Sequence, residues 1–274
     1  MPELPEVETI TRALIPHLLK HKITRIDTYI EGLRYSLAPL NNPALLDKNI
    51  ISVRRRARYI IIEMTECHAF IIHLGMSGSL RVVPAKTKRL KHEHVVWNLD
   101  GGMTMRLDCP RRFGFVKACT LPEAGAEPIE LNQLGPEPLS SEFDAAYLYQ
   151  ITRRRIGSIK SLIMNNAVVV GVGNIYVAEA LFESRISPLR KAMSLTKKQC
   201  AKLVTEIKKV LAHSIKIGGT TIASYKNVDG SEGKFVQHLK VYGKNNLNCS
   251  VCDTPIEQKR LAGRNSYYCP KCQK

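Results

Sequence analysis

The pattern of apolar and polar positions changes character along the 274-residue chain. Near the start Val7, Ile10 or Thr11, Leu14 and Leu18 recur at helical spacing, which predicts a first helix with a bend near Pro16. Alternation then takes over. Residues 23–30 read as a strand, and residues 50–64 as a longer one. Its period of two puts Ile51, Val53, Arg55, Ala57, Tyr59 and Ile61 on one face, with Ser52, Arg54, Arg56, Arg58 and Ile60 on the other. Residues 69–83 read as a strand pair interrupted by His73-Leu74-Gly75-Met76-Ser77-Gly78, whose two glycines predict a tight turn with Met76 at an exposed tip. Residues 94–107 read as a hairpin around Asp100-Gly101-Gly102, and residues 115–120 as a further strand. Many short strands with Gly and Pro punctuation point to a β-sandwich or barrel.

Residues 134–141 are turn-rich and aperiodic, as a linker is. Beyond them the period becomes helical, over roughly 142–152, 158–165, 174–184 and 196–216. The chain from 218 to 233 is polar and glycine-containing and reads as a loop.

Charge narrows the possible partners. Lys and Arg number 41 against 24 for Asp and Glu, a formal +17, which implies a polyanion: nucleic acid or an acidic membrane surface. The three arginines 54, 56 and 58 on one predicted strand face form either a phosphate-sized stripe or a solvated edge that discourages aggregation. Arg153-Arg154-Arg155 is a second basic cluster. No apolar run is long enough to cross a bilayer, and no secretory leader is visible, so an intracellular protein is expected. Disulfides are then not expected, and the eight cysteines need another account.

Four of them supply one. Cys249-x2-Cys252 and Cys269-x2-Cys272 have the spacing of a four-cysteine zinc ribbon, and a site with four protein ligands is structural. Lys259, Arg260, Arg264 and Lys271 surround it, so the finger presents cations to a phosphate backbone. Cys67, Cys109, Cys119 and Cys200 stand singly as ordinary thiols. His92 and His94 form an H-x-H pair without a third ligand nearby, which favours phosphate contact or solvation over a metal. The run from Val168 to Asn174 mimics a dinucleotide-binding turn, but Tyr176 holds the third glycine position and no βαβ unit follows. It reads instead as a glycine-rich turn into a helix, with Asn174 near its start.

The first eight residues admit two readings. Pro5, Glu6 and Glu8 suit a helix start. Pro2, once Met1 is removed, would be a free secondary amine, a nucleophile towards a carbonyl or acetal carbon, with Glu3 beside it to handle protons.

The motifs Met-Pro-Glu-Leu-Pro-Glu-Val-Glu-Thr, His-Leu-Gly-Met-Ser-Gly-Ser-Leu, Pro-Arg-Arg-Phe-Gly, Leu-Gly-Pro-Glu-Pro-Leu, Val-Gly-Val-Gly-Asn-Ile-Tyr and the four-cysteine finger follow one another in an order that resembles the formamidopyrimidine-DNA glycosylase family over nearly the whole chain. The resemblance implies a multidomain α+β protein. An N-terminal catalytic β-sandwich domain with flanking helices would span 1–133, and a linker 134–141. A helix–two-turn–helix domain with the lesion-recognition loop would span 142–234, and a zinc-finger β-hairpin holding one structural zinc 235–274. It implies a bifunctional glycosylase and abasic-site lyase of base excision repair, a monomer acting on double-stranded DNA with oxidised bases or abasic sites, in a bacterial cytoplasm on nucleoid DNA. Pro2 would be the nucleophile and Glu3 the acid–base group, with Glu6 ordering the pocket. Arg264 would clamp a phosphate during δ-elimination. Met76, Arg111 and Phe113 match the residues that fill the gap left by an extruded base, and His73, His92, Arg111, Arg155, Asn174 and Arg264 match DNA contacts. The loop from Thr220 to about Lys226 resembles the one that closes on 8-oxoguanine.

Two positions depart from the family pattern. Arg58 stands where the family has Lys, which keeps a catalytic-site phosphate contact but not proton transfer. Cys109 stands where the family favours Asp before Pro-Arg-Arg-Phe-Gly. A non-catalytic zinc-finger DNA-binding protein and an endonuclease VIII-like enzyme for oxidised pyrimidines are the competing readings.

Overall fold

The computed structural model describes residues 1–220 and 235–274. The chain divides into two compact units. One is Met1–Asn132 joined by residues 218–220; the other is Gln133–Ile217 with Phe235–Lys274. The expected lesion loop beyond Thr220 lies outside the described residues.

The first unit begins with α1 (Leu4–Leu18), whose apolar face buries Leu4, Val7, Ile10, Leu14 and Leu18. Fully burying such a side chain contributes about 1.5–3 kcal/mol relative to exposure, which fastens the start of the chain to the core. Two antiparallel four-stranded sheets follow. One has the order β1 (Ile23–Thr28), β6 (Glu93–Leu99), β7 (Met103–Asp108), β5 (Ser79–Pro84). The other runs β2 (Ile50–Arg56), β3 (Tyr59–Met64), β4 (His68–His73), β8 (Phe115–Thr120). Side chains of both sheets and of α1 share one core, and Phe70 of β4 meets Trp97 of β6 edge-to-face with ring centroids 5.9 Å apart. This is the sandwich alternative of the sequence reading.

Two expectations change. The predicted strand over 50–64 is a hairpin: Arg56 pairs with Tyr59, and Ala57 and Arg58 form its two-residue turn, with Ala57 at φ +53°. A two-residue turn inverts the face on which odd positions lie, so Val53 and Arg55 oppose Ile62 and Ile60 rather than joining Ile61. The predicted strand pair over 69–83 is no pair either. β4 bonds to β3 and β8, whereas β5 bonds to β7 in the other sheet. The chain passes between the sheets three times: over residues 29–49 from β1 to β2, over 74–78 from β4 to β5, and over 109–114 from β7 to β8.

The second unit packs α2 (Ala145–Thr152), α3 (Ile159–Ile163), α4 (Asn174–Ser184) and α5 (Lys197–Lys216) around Phe143, Tyr176, Leu181, Leu203 and Ile207. Asp144 and Ser158 cap α2 and α3 with side-chain oxygens, and Thr196 opens α5 with a capping box completed by Gln199. The hairpin β9 (Glu257–Leu261) and β10 (Arg264–Tyr268) closes the chain through Ala262 and Gly263, at φ +46° and +76°. Two positive-φ residues give a turn whose twist matches that of the strands it joins. Among the described residues no helix is long and apolar enough to cross a membrane.

Candidate reactive terminus and nucleic-acid interface

Both readings of the terminus meet in the first unit. Glu3 is the N-cap of α1 and forms a capping box with Glu6, whose Oε2 accepts the Glu3 N–H at 2.7 Å. The other oxygen of Glu6, Oε1, accepts the Thr220 N–H at 2.8 Å. Gly219 makes that approach possible: it has φ +81°, and a Cβ there would stand 3.1 Å from Glu6 Oε1. One carboxylate, 2% exposed, thus ties the helix start to residues 218–220. Pro2 and Glu3 are buried as well.

Met1 carries the terminal amine in this structure. Burial pushes that amine below its ordinary value, and the Arg58 and Arg111 guanidiniums push it the same way, against the pull of the Glu3 and Glu6 carboxylates. Arg58, at the β2–β3 turn, brings Nη1 to 4.0 Å from Met1 Sδ, and its buried Nε has no hydrogen-bond partner among the described residues.

The arginine stripe is not assembled. Arg54 donates to the Ala126 carbonyl, Arg56 to Glu127 Oε2 at 2.9 Å, and Arg55 to Glu8 Oε2 at 2.7 Å. These cations tie strand β2 to its neighbours, because the hairpin turn ends the alternation that would have aligned Arg54 and Arg56 with Arg58.

The second and third of these crossings touch. A Cβ on Gly75 would stand 2.5 Å from Gly114 N and from Phe113 C, and one on Gly114 would stand 2.7 Å from the His73 carbonyl oxygen. Only glycines permit this backbone approach. It sets Met76, 42% exposed, and Phe113, 51% exposed, on adjoining turns, with the Arg111 guanidinium 5.0 Å from the Phe113 ring centre. Cys109 lies under the second turn, 1% exposed. Its sulfur faces the N–H groups of Gly114, Arg112 and Phe113, and burial raises its thiol pKa.

His73, at the end of β4, stacks on Phe115 with ring centroids 5.5 Å apart. Burial first, then Arg58 and Arg34, lower its pKa to about 4. It is therefore neutral at pH 7, and its Nδ1 accepts the Gly75 N–H at 3.1 Å, which leaves the proton on Nε2. His92 and His94 have ring centroids 6.0 Å apart, His94 is buried, and no third metal-ligating group joins them among the described residues.

In the second unit Arg155 is exposed after α2, and Arg264 is exposed at the first position of β10. Asn174, first residue of α4, donates Nδ2 to the Asn265 carbonyl at 3.1 Å. Lys160 was not expected to matter, yet it is 1% exposed and donates Nζ to the same carbonyl at 3.0 Å and to Ser266 Oγ at 2.6 Å. It grips the strand that carries Arg264. Glu179 was likewise missed: it is 3% exposed and accepts the N–H groups of Lys240, Val241 and Tyr242 at 2.7, 3.0 and 2.8 Å, anchoring the approach to the finger on α4. Neither residue has a sequence signal, because each reads as an ordinary charged helix residue.

The thiols of Cys249, Cys252, Cys269 and Cys272 all lie within 4.8 Å of one another, with the 249–272 and 252–269 pairs at 3.9 and 3.4 Å. Four sulfurs about 2.3 Å from a tetrahedral ion would be about 3.8 Å apart. The residues fit one structural zinc, which would join the finger's two knuckles.

A β-sandwich headed by a capped N-terminal helix, a helical unit and a four-cysteine hairpin is the domain set of the helix–two-turn–helix DNA glycosylases. Family models agree segment by segment. The formamidopyrimidine-DNA glycosylase N-terminal domain matches residues 1–116, the formamidopyrimidine-DNA glycosylase H2TH domain residues 134–226, and the zinc finger found in FPG and IleRS residues 247–274. The chain is 46% identical over 274 residues to a formamidopyrimidine-DNA glycosylase of Thioalkalivibrio sulfidiphilus, each covered in full. It is 46% identical over 276 residues to that of Pectobacterium carotovorum, again with full coverage of both. Among solved structures it is similar to a Lactococcus lactis FPG mutant in complex with Fapy-dG-containing DNA, with TM-score 0.91, 31% identity and full coverage of both chains. It is also similar to the MutM (FPG) protein of Thermus thermophilus, with TM-score 0.87, 33% identity and 99% and 98% of the two chains covered. The chain belongs to the formamidopyrimidine-DNA glycosylase family.

Proposed function

We propose that this chain is a DNA glycosylase and abasic-site lyase of base excision repair that releases 8-oxoguanine and formamidopyrimidines from double-stranded DNA. The observation that carries the reading is the terminus: Pro2 and Glu3 are buried at the head of α1, where the Glu6 carboxylate accepts the Glu3 and Thr220 N–H groups and Arg58 reaches Met1. While Met1 is present the Pro2 nitrogen is an amide and is not nucleophilic. Removal of Met1 makes it a secondary amine.

That lone pair attacks C1′ of the damaged nucleotide, and the C1′–N bond to the base breaks as the base leaves with a proton. Ring opening gives an iminium ion between Pro2 and C1′. Its positive charge acidifies the C2′ hydrogen; loss of that proton expels the 3′ phosphate, and a second elimination expels the 5′ phosphate. Glu3, buried next to Pro2, is the group assigned to proton transfer. Arg58 and Arg264, which stay charged, stabilise phosphate oxygens and leaving groups and move no proton.

Met76, Arg111 and Phe113 fill the gap left by the extruded base, the two apolar side chains because a flexible wedge fits between bases. His73 donates its Nε2 proton to a phosphate, and His92, Arg155 and Asn174 contact the backbone. The bacterial relatives support placing the protein in a bacterial cytoplasm, on nucleoid DNA.

The test is borohydride reduction of Met1-free protein, verified by intact mass, with an 8-oxoguanine duplex. A covalent adduct is expected, and Pro2→Gly should shift its yield and rate. Absence of an adduct with the processed protein overturns the reading.

A further inference from the structure

Apart from His92, the segment between β5 and β6, residues 85–92, takes no part in the site described above. It holds Lys86, Lys88, Arg89 and Lys91 and no carboxylate. It is not a floppy charge run. Arg106, 3% exposed on β7, donates Nη2 to the carbonyls of Pro84, Ala85 and Thr87, the shortest at 2.9 Å, and Nη1 to Glu93 Oε2 at 3.2 Å. Glu93, 0% exposed, accepts the Leu90 N–H at 2.8 Å and also pairs with Arg81. Arg89 returns to the Glu93 carbonyl at 3.0 Å and lies over the Tyr29 ring, 3.9 Å from its centre.

The buried ion network consumes these inward-facing groups and its own negative charge. Lys86, Lys88 and Lys91 are left exposed, and none makes an ion pair among the described residues. The platform also joins the wedge: its last residue, His92, accepts the Cys109 N–H at 2.9 Å, where the turn carrying Arg111 and Phe113 begins.

We propose that residues 85–92 form a second phosphate-contact surface, continuous with the wedge turn, which engages the backbone of duplex DNA independently of the lesion through Lys86, Lys88 and Lys91. A fixed platform of like charges with one large exposed apolar residue, Leu90, suits a regular array of phosphates better than a lipid surface, which calls for an apolar face to insert. The inference rests on the DNA-repair reading above and adds a part of the footprint to it.

The experiment compares the parent with the triple variant Lys86→Gln, Lys88→Gln, Lys91→Gln and with the same three positions changed to Arg. Affinity for a long duplex, with and without 8-oxoguanine, is measured against salt concentration. Each phosphate contact contributes about 0.9 to the slope of log K on log salt, so the Gln variant should lose about 2.7 from the slope on both duplexes, and the Arg variant should keep the parental slope. An unchanged slope in the Gln variant, or a change confined to the lesion duplex, overturns the proposal. So does loss of binding to phosphatidylserine vesicles with an unchanged DNA slope. Borohydride trapping of the Met1-free parent separates the two levels. If the parent forms no adduct, the DNA-repair reading fails; if it does and the slopes coincide, this inference alone fails.

Discussion

Gly75→Ala isolates the contact between the two turns that carry Met76 and Phe113. The position has φ +66°, and an alanine in that left-handed conformation costs about 1–2 kcal/mol. The new Cβ would stand 2.5 Å from two backbone atoms, Gly114 N and Phe113 C, against about 3.5–4.0 Å for ordinary carbon contacts, so the second turn must retreat by about 1 Å. Overpacking of this kind costs about 1–3 kcal/mol more. The total, about 2–5 kcal/mol, corresponds at about 2–4 °C per kcal/mol to a melting temperature lowered by roughly 4–20 °C. A shift of about 1 Å in a positioning element also slows a reaction by up to about 100-fold. The assay is thermal melting together with single-turnover excision of 8-oxoguanine, run well below both transitions. Gly101→Ala is the control: its φ is +79°, but the nearest atom to its Cβ is His21 Cε1 at 3.6 Å, so only the backbone term of about 1–2 kcal/mol applies. If Gly75→Ala melts no lower than Gly101→Ala and excises at the parental rate, the two turns are not coupled and the reasoning is refuted.

Other outcomes follow from single sites. The folded His73 imidazole takes up a proton only near pH 4, whereas a solvated one does so from its ordinary 6.5. The unfolded chain therefore binds more protons between those values, and stability should rise with pH across that window and be complete above it. Urea midpoints from pH 4 to 7 should show that rise, and His73→Gln should flatten it. Glu179→Ala leaves three N–H groups without their acceptor, each worth about 1–3 kcal/mol, and should speed zinc release to a colorimetric chelator many-fold; a parental release rate would contradict the anchoring role. Native mass spectrometry should find one zinc per chain, and Cys269→Ser should lose it together with the protease resistance of the β9–β10 hairpin.

The parts of the fold legible in the sequence were those whose signal is local. The first helix, the β6–β7 hairpin, the helix at Asn174–Ser184 and the four-cysteine knuckles each lie within a short window. The β2–β3 hairpin was hidden because β3 is almost wholly buried. With Ile60, Ile61 and Ile62 all inside, no alternation marks the inversion at Ala57 and Arg58. The arginines of that stretch misled for a related reason: their carboxylate and carbonyl partners, Glu8, Ala126 and Glu127, lie about 47 to 72 residues away in the chain. Lys160 and Glu179 were invisible for the same cause, since their partners belong to the C-terminal finger and its approach.

The two turns that bear Met76 and Phe113 are also covalent straps between the halves of the sandwich. Shear of one sheet over the other strains both of them, and the glycine contacts couple one to the other. Met76 and Phe113 are thus mounted on the seam, and the tightness of the interior sets their placement. Phe70→Leu, which opens space against Trp97 away from the surface, is expected to blunt base-gap insertion by the proposed wedge. On the proposed function, rigidity of the sandwich becomes a component of lesion search.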